Sequence, residues 1–133
     1  MKNIDHIGIA VKDFANANGL FYKLLGAEPY KTEIVASEKV TTSFFRIGES
    51  KIELLEALDE DSPIAKFLEK KGEGIHHIAF AVDDILTEMA RLKAEGFTLL
   101  NDVPKNGADN KLVCFVHPKS ANGVLVELCQ EIK

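Results

Sequence analysis

Apolar and polar positions repeat along this chain with an offset of 71 residues. Residues 4–13 read IDHIGIAVKD and residues 75–84 read IHHIAFAVDD. Ile4, His6, Ile7, Ala10, Val11 and Asp13 thereby meet Ile75, His77, Ile78, Ala81, Val82 and Asp84. Both segments have the β-branched and apolar residues of a mostly buried strand. After each acidic residue the period changes. Phe14, Ala17, Phe21 and Leu24 in one copy, and Ile85, Met89 and Leu92 in the other, recur at helical spacing. Asp13 and Asp84 stand where a carboxylate accepts the first free N–H groups of a helix. Gly26 and Gly96 stand where a left-handed residue closes one.

Further strands are expected over 40–47 (VTTSFFRI) and 50–57 (SKIELLEA), and in the second copy over 111–117 (KLVCFVH) and 123–129 (GVLVELC). A shorter strand near Thr32–Val35 or Thr98–Leu100 precedes them. Between the copies, DSPIAKFLEKKGEG reads as a connecting helix, with Ser62 as cap, Pro63 at the first helical position and Gly72 at the end. Asp102–Asn110 is polar and turn-rich, and is expected to be a mobile loop. The pattern predicts one α+β domain over 1–133: a βαβββ module over about 3–58, a helix over about 61–72, and a second module over about 74–130. A unit too small to bury its own sheet face pairs most simply with its copy, so a curved mixed sheet around a shared cleft is expected.

The last strands of the copies also correspond. Lys51-Ile52-Glu53-Leu54-Leu55 aligns with Leu125-Val126-Glu127-Leu128-Cys129 at an offset of 74. Each copy therefore has one histidine on its first strand and one glutamate on its last: His6 and Glu53, His77 and Glu127. A carboxylate set among apolar residues costs several kcal/mol unless it is paired, protonated or metal-bound. Two imidazoles and two carboxylates form a borderline-to-hard donor set suited to a divalent transition metal. Four such ligands leave two positions of a six-coordinate ion for water or substrate oxygens.

Other candidates weigh less. His76, adjacent to His77, points to the opposite strand face and reads as structural or as support for a ligand. His117 opens the turn HPKSANG. Lys66, Lys70 and Lys71 form a short basic spot on the connecting helix. Cys114 and Cys129 sit in apolar runs and read as packed strand residues, with no disulfide framework or CxxC zinc pattern.

Composition narrows the function classes. Of 133 residues, 46% are hydrophobic and 28% charged, which suits one globular domain. The net charge of −5 gives no basic footprint for nucleic acid or anionic lipid. No segment approaches the ~18 apolar residues of a membrane span. MKNIDHIGIAV lacks the apolar stretch and cleavage site of a signal peptide, so a soluble cytoplasmic protein is expected. No G-x-G-x-x-G or Walker loop occurs, which speaks against a bound nucleotide cofactor.

With those residues in view, the sequence resembles the vicinal-oxygen-chelate (glyoxalase) superfamily and, within it, the methylmalonyl-CoA epimerase family. The resemblance runs through IDHIGIAV (4–11), KIELLEAL (51–58), DSPIAKFLEKKGEGIHHIAFAVDDI (61–85) and HPKSANGVLVEL (117–128). It implies a metal held in a cleft by His6, Glu53, His77 and Glu127, with cobalt the first expectation and manganese, nickel or zinc the alternatives. It also implies an acyl-CoA substrate, inversion at C2 of methylmalonyl-CoA, Glu127 as both ligand and acid/base group, and a homodimer. Ser43 aligns with a glutamate proposed as an acid/base in some relatives, with Glu38 nearby. Glyoxalase I, with a two-His, two-Glu site on the same fold, is the alternative enzyme. A ring-cleaving dioxygenase usually has two His and one carboxylate, and a ligand-sequestering module commonly lacks the metal set.

Overall fold

A computed structural model describes residues 1–133. In it the repeated pattern becomes repeated structure. The first copy runs β1 (Asn3–Ala10), α1 (Phe14–Leu25), β2 (Lys31–Val35), β3 (Val40–Ile47) and β4 (Ser50–Ala57). After α2 (Pro63–Lys71) the second runs β5 (Gly74–Ala81), α3 (Ile85–Ala94), β6 (Lys105–Gly107), β7 (Lys111–Val116) and β8 (Val126–Glu131). The expected order, βαβββ twice with a helix between, is present.

The predicted helix starts are made by the predicted atoms. Asp13 Oδ1 accepts from the Asn16 N–H at 3.0 Å, and Asp84 Oδ1 from the Thr87 N–H at 3.2 Å. Ser62 Oγ accepts from the Ile64 N–H at 3.1 Å, with Pro63 beginning α2. Gly26 closes α1 at φ 75°, a left-handed conformation that a Cβ disfavours.

Two compact units divide the chain: Ile7–His76, and Met1–His6 together with His77–Lys133. Strands β1 and β5 each pass from one to the other. In the unit Ile7–His76, β2, β3 and β4 are antiparallel in that order. There the Val11 N–H donates to the Leu55 carbonyl at 2.9 Å, at the end of β1. In the other unit β5 pairs β8 in parallel, while β8–β7 and β7–β6 are antiparallel. The Lys2 N–H donates to the Ala81 carbonyl at 2.8 Å, tying the beginning of β1 to β5.

Helices α1 and α3 each cover one sheet face of their own unit. Around α1, Val11, Ala17, Phe45 and Leu54 are buried, with Phe14, Phe21 and Ile52 packed against them. Because side chains alternate, Thr42, Phe44, Lys51 and Glu53 occupy the opposite face of β3 and β4. Around α3, Ile85, Met89 and Leu92 pack with Cys114, Val116 and Leu128. Burying side chains of this size is worth roughly 1.5–3 kcal/mol each. The opposite face of β7 and β8 carries Val113, Phe115, Glu127 and Cys129. In both units the glutamate singled out by the repeat lies on the sheet face opposite the α1 or α3 core. No helix is long and apolar enough to cross a membrane.

Three expectations need correction. The segment Asp102–Asn110 is not simply a loop, because Lys105–Gly107 forms β6 and pairs with β7. The last strand is Val126–Glu131 rather than 123–129, since a 3-10 turn over Pro118–Ala121 and left-handed residues at Asn122 and Gly123 occupy the approach. Thr98–Leu100 makes only an isolated bridge, Leu99 to Val116.

Candidate metal centre

Strands β1, β5 and β8 bring together three of the predicted ligands. Ala79 on β5 lies beside Glu127 on β8. His77, two residues before Ala79, therefore points to the same side as Glu127. His77 Nε2 is 3.0 Å from Glu127 Oε1. His6, from β1, places its Nε2 at 3.0 Å from His77 Nε2 and 3.5 Å from Glu127 Oε1. All three side chains are buried. The two rings meet edge to face at 5.1 Å, and Phe115 lies edge-on to His77 at 6.0 Å.

Burial by itself would raise the Glu127 carboxyl. The His6 and His77 imidazoles more than reverse that, through charge and hydrogen bonding, and hold it well below the usual carboxylate range. The carboxylate is thus ionised where it can act as a donor. Spacing gives a separate test of fit. Ligand atoms about 2.1 Å from one ion and at right angles to each other lie about 3.0 Å apart. The observed separations of 3.0, 3.0 and 3.5 Å suit neighbouring corners of a single coordination sphere. Two imidazoles and a carboxylate are donors that divalent first-row ions accept. The residues fit a metal.

Glu53, the fourth expected ligand, belongs to the unit Ile7–His76. It is 3% exposed on β4, opposite Phe44 of β3, with its Oε2 4.0 Å from the buried Lys51 Nζ. Asp5 did not stand out in the sequence. Its Oδ2 lies 2.7 Å from His6 Nδ1, its Oδ1 3.8 Å from Lys111 Nζ, and it is buried. The only sequence signal is its place immediately before a ligand. Cys129 Sγ falls within 4.8 Å of donor atoms on Asp5 and His6. Burial, then the charges of Asp5 and Glu127, push that thiol far up, so it is not a thiolate. Burial likewise raises Cys114, which packs under α3.

The remaining candidates have local tasks. His76 packs edge-on against Phe67 at 5.0 Å. His117 Nδ1 accepts from the Lys119 N–H at 3.0 Å and so caps the turn that follows. The Ser43 hydroxyl donates to Asn18 of α1, which places it on the helix-covered face of β3. Thr42 is the residue there that shares a face with Glu53, and its fully buried hydroxyl makes no hydrogen bond. Glu38, itself half-buried, ends a 3-10 turn between β2 and β3 whose other residues, Ala36 and Ser37, are exposed. Lys66, Lys70 and Lys71 line an open pocket with Phe67 and His76.

Residues 5–115 match the family described as Glyoxalase/Bleomycin resistance protein/Dioxygenase superfamily. The chain is 46% identical over 129 residues to ethylmalonyl-CoA/methylmalonyl-CoA epimerase of Cereibacter sphaeroides, covering 96% of each chain. It is 41% identical to the mitochondrial methylmalonyl-CoA epimerase of Homo sapiens, covering 96% of this chain and 73% of that one. A variant of Streptomyces coelicolor methylmalonyl-CoA epimerase, solved in complex with 2-nitronate-propionyl-CoA, superposes with a TM-score of 0.96 at 35% identity. That alignment covers 100% of this chain and 99% of the other. The duplicated βαβββ order and the buried His6, His77 and Glu127 are thus features of a chain that belongs to the glyoxalase/bleomycin resistance protein/dioxygenase superfamily.

Proposed function

We propose that this protein is an isomerase that interconverts the R and S forms of methylmalonyl-CoA at C2, using a divalent ion held by His6, His77, Glu127 and Glu53. The observation that carries the reading is the buried trio of donors 3.0–3.5 Å apart, in a chain 46% identical, over nearly the whole of both, to an ethylmalonyl-CoA/methylmalonyl-CoA epimerase. Glu53 joins the set on two grounds: it is the repeat's counterpart of Glu127, and it is a buried carboxylate on the face of β4 opposite the α1 core.

The hydrogen at C2 is acidified by a thioester on one side and a carboxylate on the other. Its removal spreads negative charge onto the thioester oxygen. A divalent ion supplies Lewis-acid stabilisation of that charge. The chain supplies the rest. The side chains of His6, His77 and Glu127 are buried, where electrostatic interactions are stronger than in water. Glu127, ionised and adjacent to both imidazoles, is the first choice to take and return a proton. The same imidazoles weaken it as a base, so the reaction depends on the acidified C2–H rather than on a strong base. Inversion needs a second proton carrier on the opposite face of C2. Ser43, tied to Asn18, is not placed to be it.

Cobalt is the first ion to test, with manganese, nickel and zinc as alternatives. The setting is cytoplasmic and the assembly a homodimer. The direct assay incubates one C2 epimer of methylmalonyl-CoA with metal-loaded protein and follows the other epimer. Conversion to an equal mixture is expected, with no turnover of the hemithioacetal of glutathione and methylglyoxal. Turnover of the hemithioacetal alone would overturn the reading in favour of a glyoxalase.

A further inference from the structure

A second buried group lies beside the three-donor centre, and the reaction proposed above leaves it unused. Strand alternation sends neighbouring side chains to opposite faces. In β1 the alternation slips: Ile4 is exposed, while Asp5 and His6 are both buried and their side chains meet at 2.7 Å. The carboxylate is itself held on its far side by Lys111, 3.8 Å away on β7, whose side chain is largely covered. At 2.7 Å the two atoms form a hydrogen-bonded pair, and the ring nitrogen engaged is Nδ1, the one turned away from His77 and Glu127. An imidazole with Nδ1–H keeps a lone pair on Nε2, and Nε2 is the atom that faces His77 and Glu127.

We infer that Asp5 is a positioning residue for the metal. It fixes His6 in the tautomer and ring orientation that present the Nε2 lone pair, and it raises the donor strength of that nitrogen. Lys111 keeps the carboxylate in place. The inference rests on reading His6, His77 and Glu127 as a metal centre, but not on the identity of the substrate. The internal repeat sharpens it. The residue matching Asp5 in the second copy is His76, whose ring packs against Phe67. The residue before His77 therefore supplies no carboxylate of the kind that precedes His6.

The test compares wild-type protein with Asp5→Asn, a change close in size that removes the charge. The dissociation constant for Co2+ is measured by competition with a chelator, and the visible absorption of the bound ion is recorded. A 10- to 100-fold weaker constant is expected, the range typical of such supporting groups, with an altered absorption envelope. Nitrogen NMR of the metal-free wild-type protein, at a pH high enough for the His6 ring to be neutral, reads its tautomer directly, so the inference stays testable if the variant fails to fold. Protonated Nδ1 with unprotonated Nε2 is expected. Equal affinity with an unchanged spectrum, or a proton on Nε2 alone, would overturn the role given to Asp5. Failure of the wild-type protein to bind Co2+ would instead remove the metal centre, and this inference with it.

Discussion

In the proposed reaction Glu127 meets two demands that pull against each other. As a ligand it must stay ionised while buried, and the imidazoles of His6 and His77 ensure this by holding its carboxyl well below the usual range. As a base it loses strength by the same contacts. Replacement by glutamine keeps an oxygen donor and removes the basic carboxylate. Turnover of Glu127→Gln is expected to fall by about 100-fold or more, the usual contribution of a positioned general base. A variant retaining more than about a tenth of the wild-type kcat would assign the proton transfer to another residue. Three of the centre's residues were readable from sequence because duplication repeats the chemistry: one histidine and one glutamate recur in register, which local propensity does not explain. Asp5 was not readable. Period-two alternation assigns it to the face opposite His6, and only the local slip of β1 brings the two side chains together. Ser43 and Thr42 make the same point in reverse, since a one-residue difference in alignment decides which sheet face a side chain occupies.

At the level of elements, the two N-caps are equivalent by design of the repeat and lie in different compact units. Each satisfies an N–H in the first turn of a helix that covers a sheet face. Asp13→Ala and Asp84→Ala are each expected to cost about 1 kcal/mol, seen as a drop of about 3–5 °C in the thermal midpoint of the metal-free protein. Their effects should add within about 0.5 kcal/mol in the double variant. No change in either single variant would show that the caps do not limit stability. Helices and central strands were legible because burial imposes a period on their residues. Strand β6 was not. Lys105 and Asn106 are exposed, so its place in the sheet comes from backbone pairing with β7, and the polar pattern carries no trace of it. The start of β8 was misplaced for a related reason. Gly123 and Val124 look like a strand entrance in composition, yet the left-handed backbone at Asn122 and Gly123 delays the strand to Val126.

For the whole molecule, the proposed function makes a single bound ion the source of the epimerase activity. A net charge of −5 does nothing to draw in an acyl-CoA with its phosphates, so recognition has to come from local chemistry rather than from overall charge. Metal dependence is correspondingly the property to measure. Protein stripped by a chelator is titrated with Co2+, and at each step the entry of solvent deuterium at C2 of methylmalonyl-CoA is followed by NMR. The rate should rise in proportion to added ion and level off at one ion per chain. Exchange that is equally fast in stripped protein, or absent once one ion per chain is bound, would contradict the account.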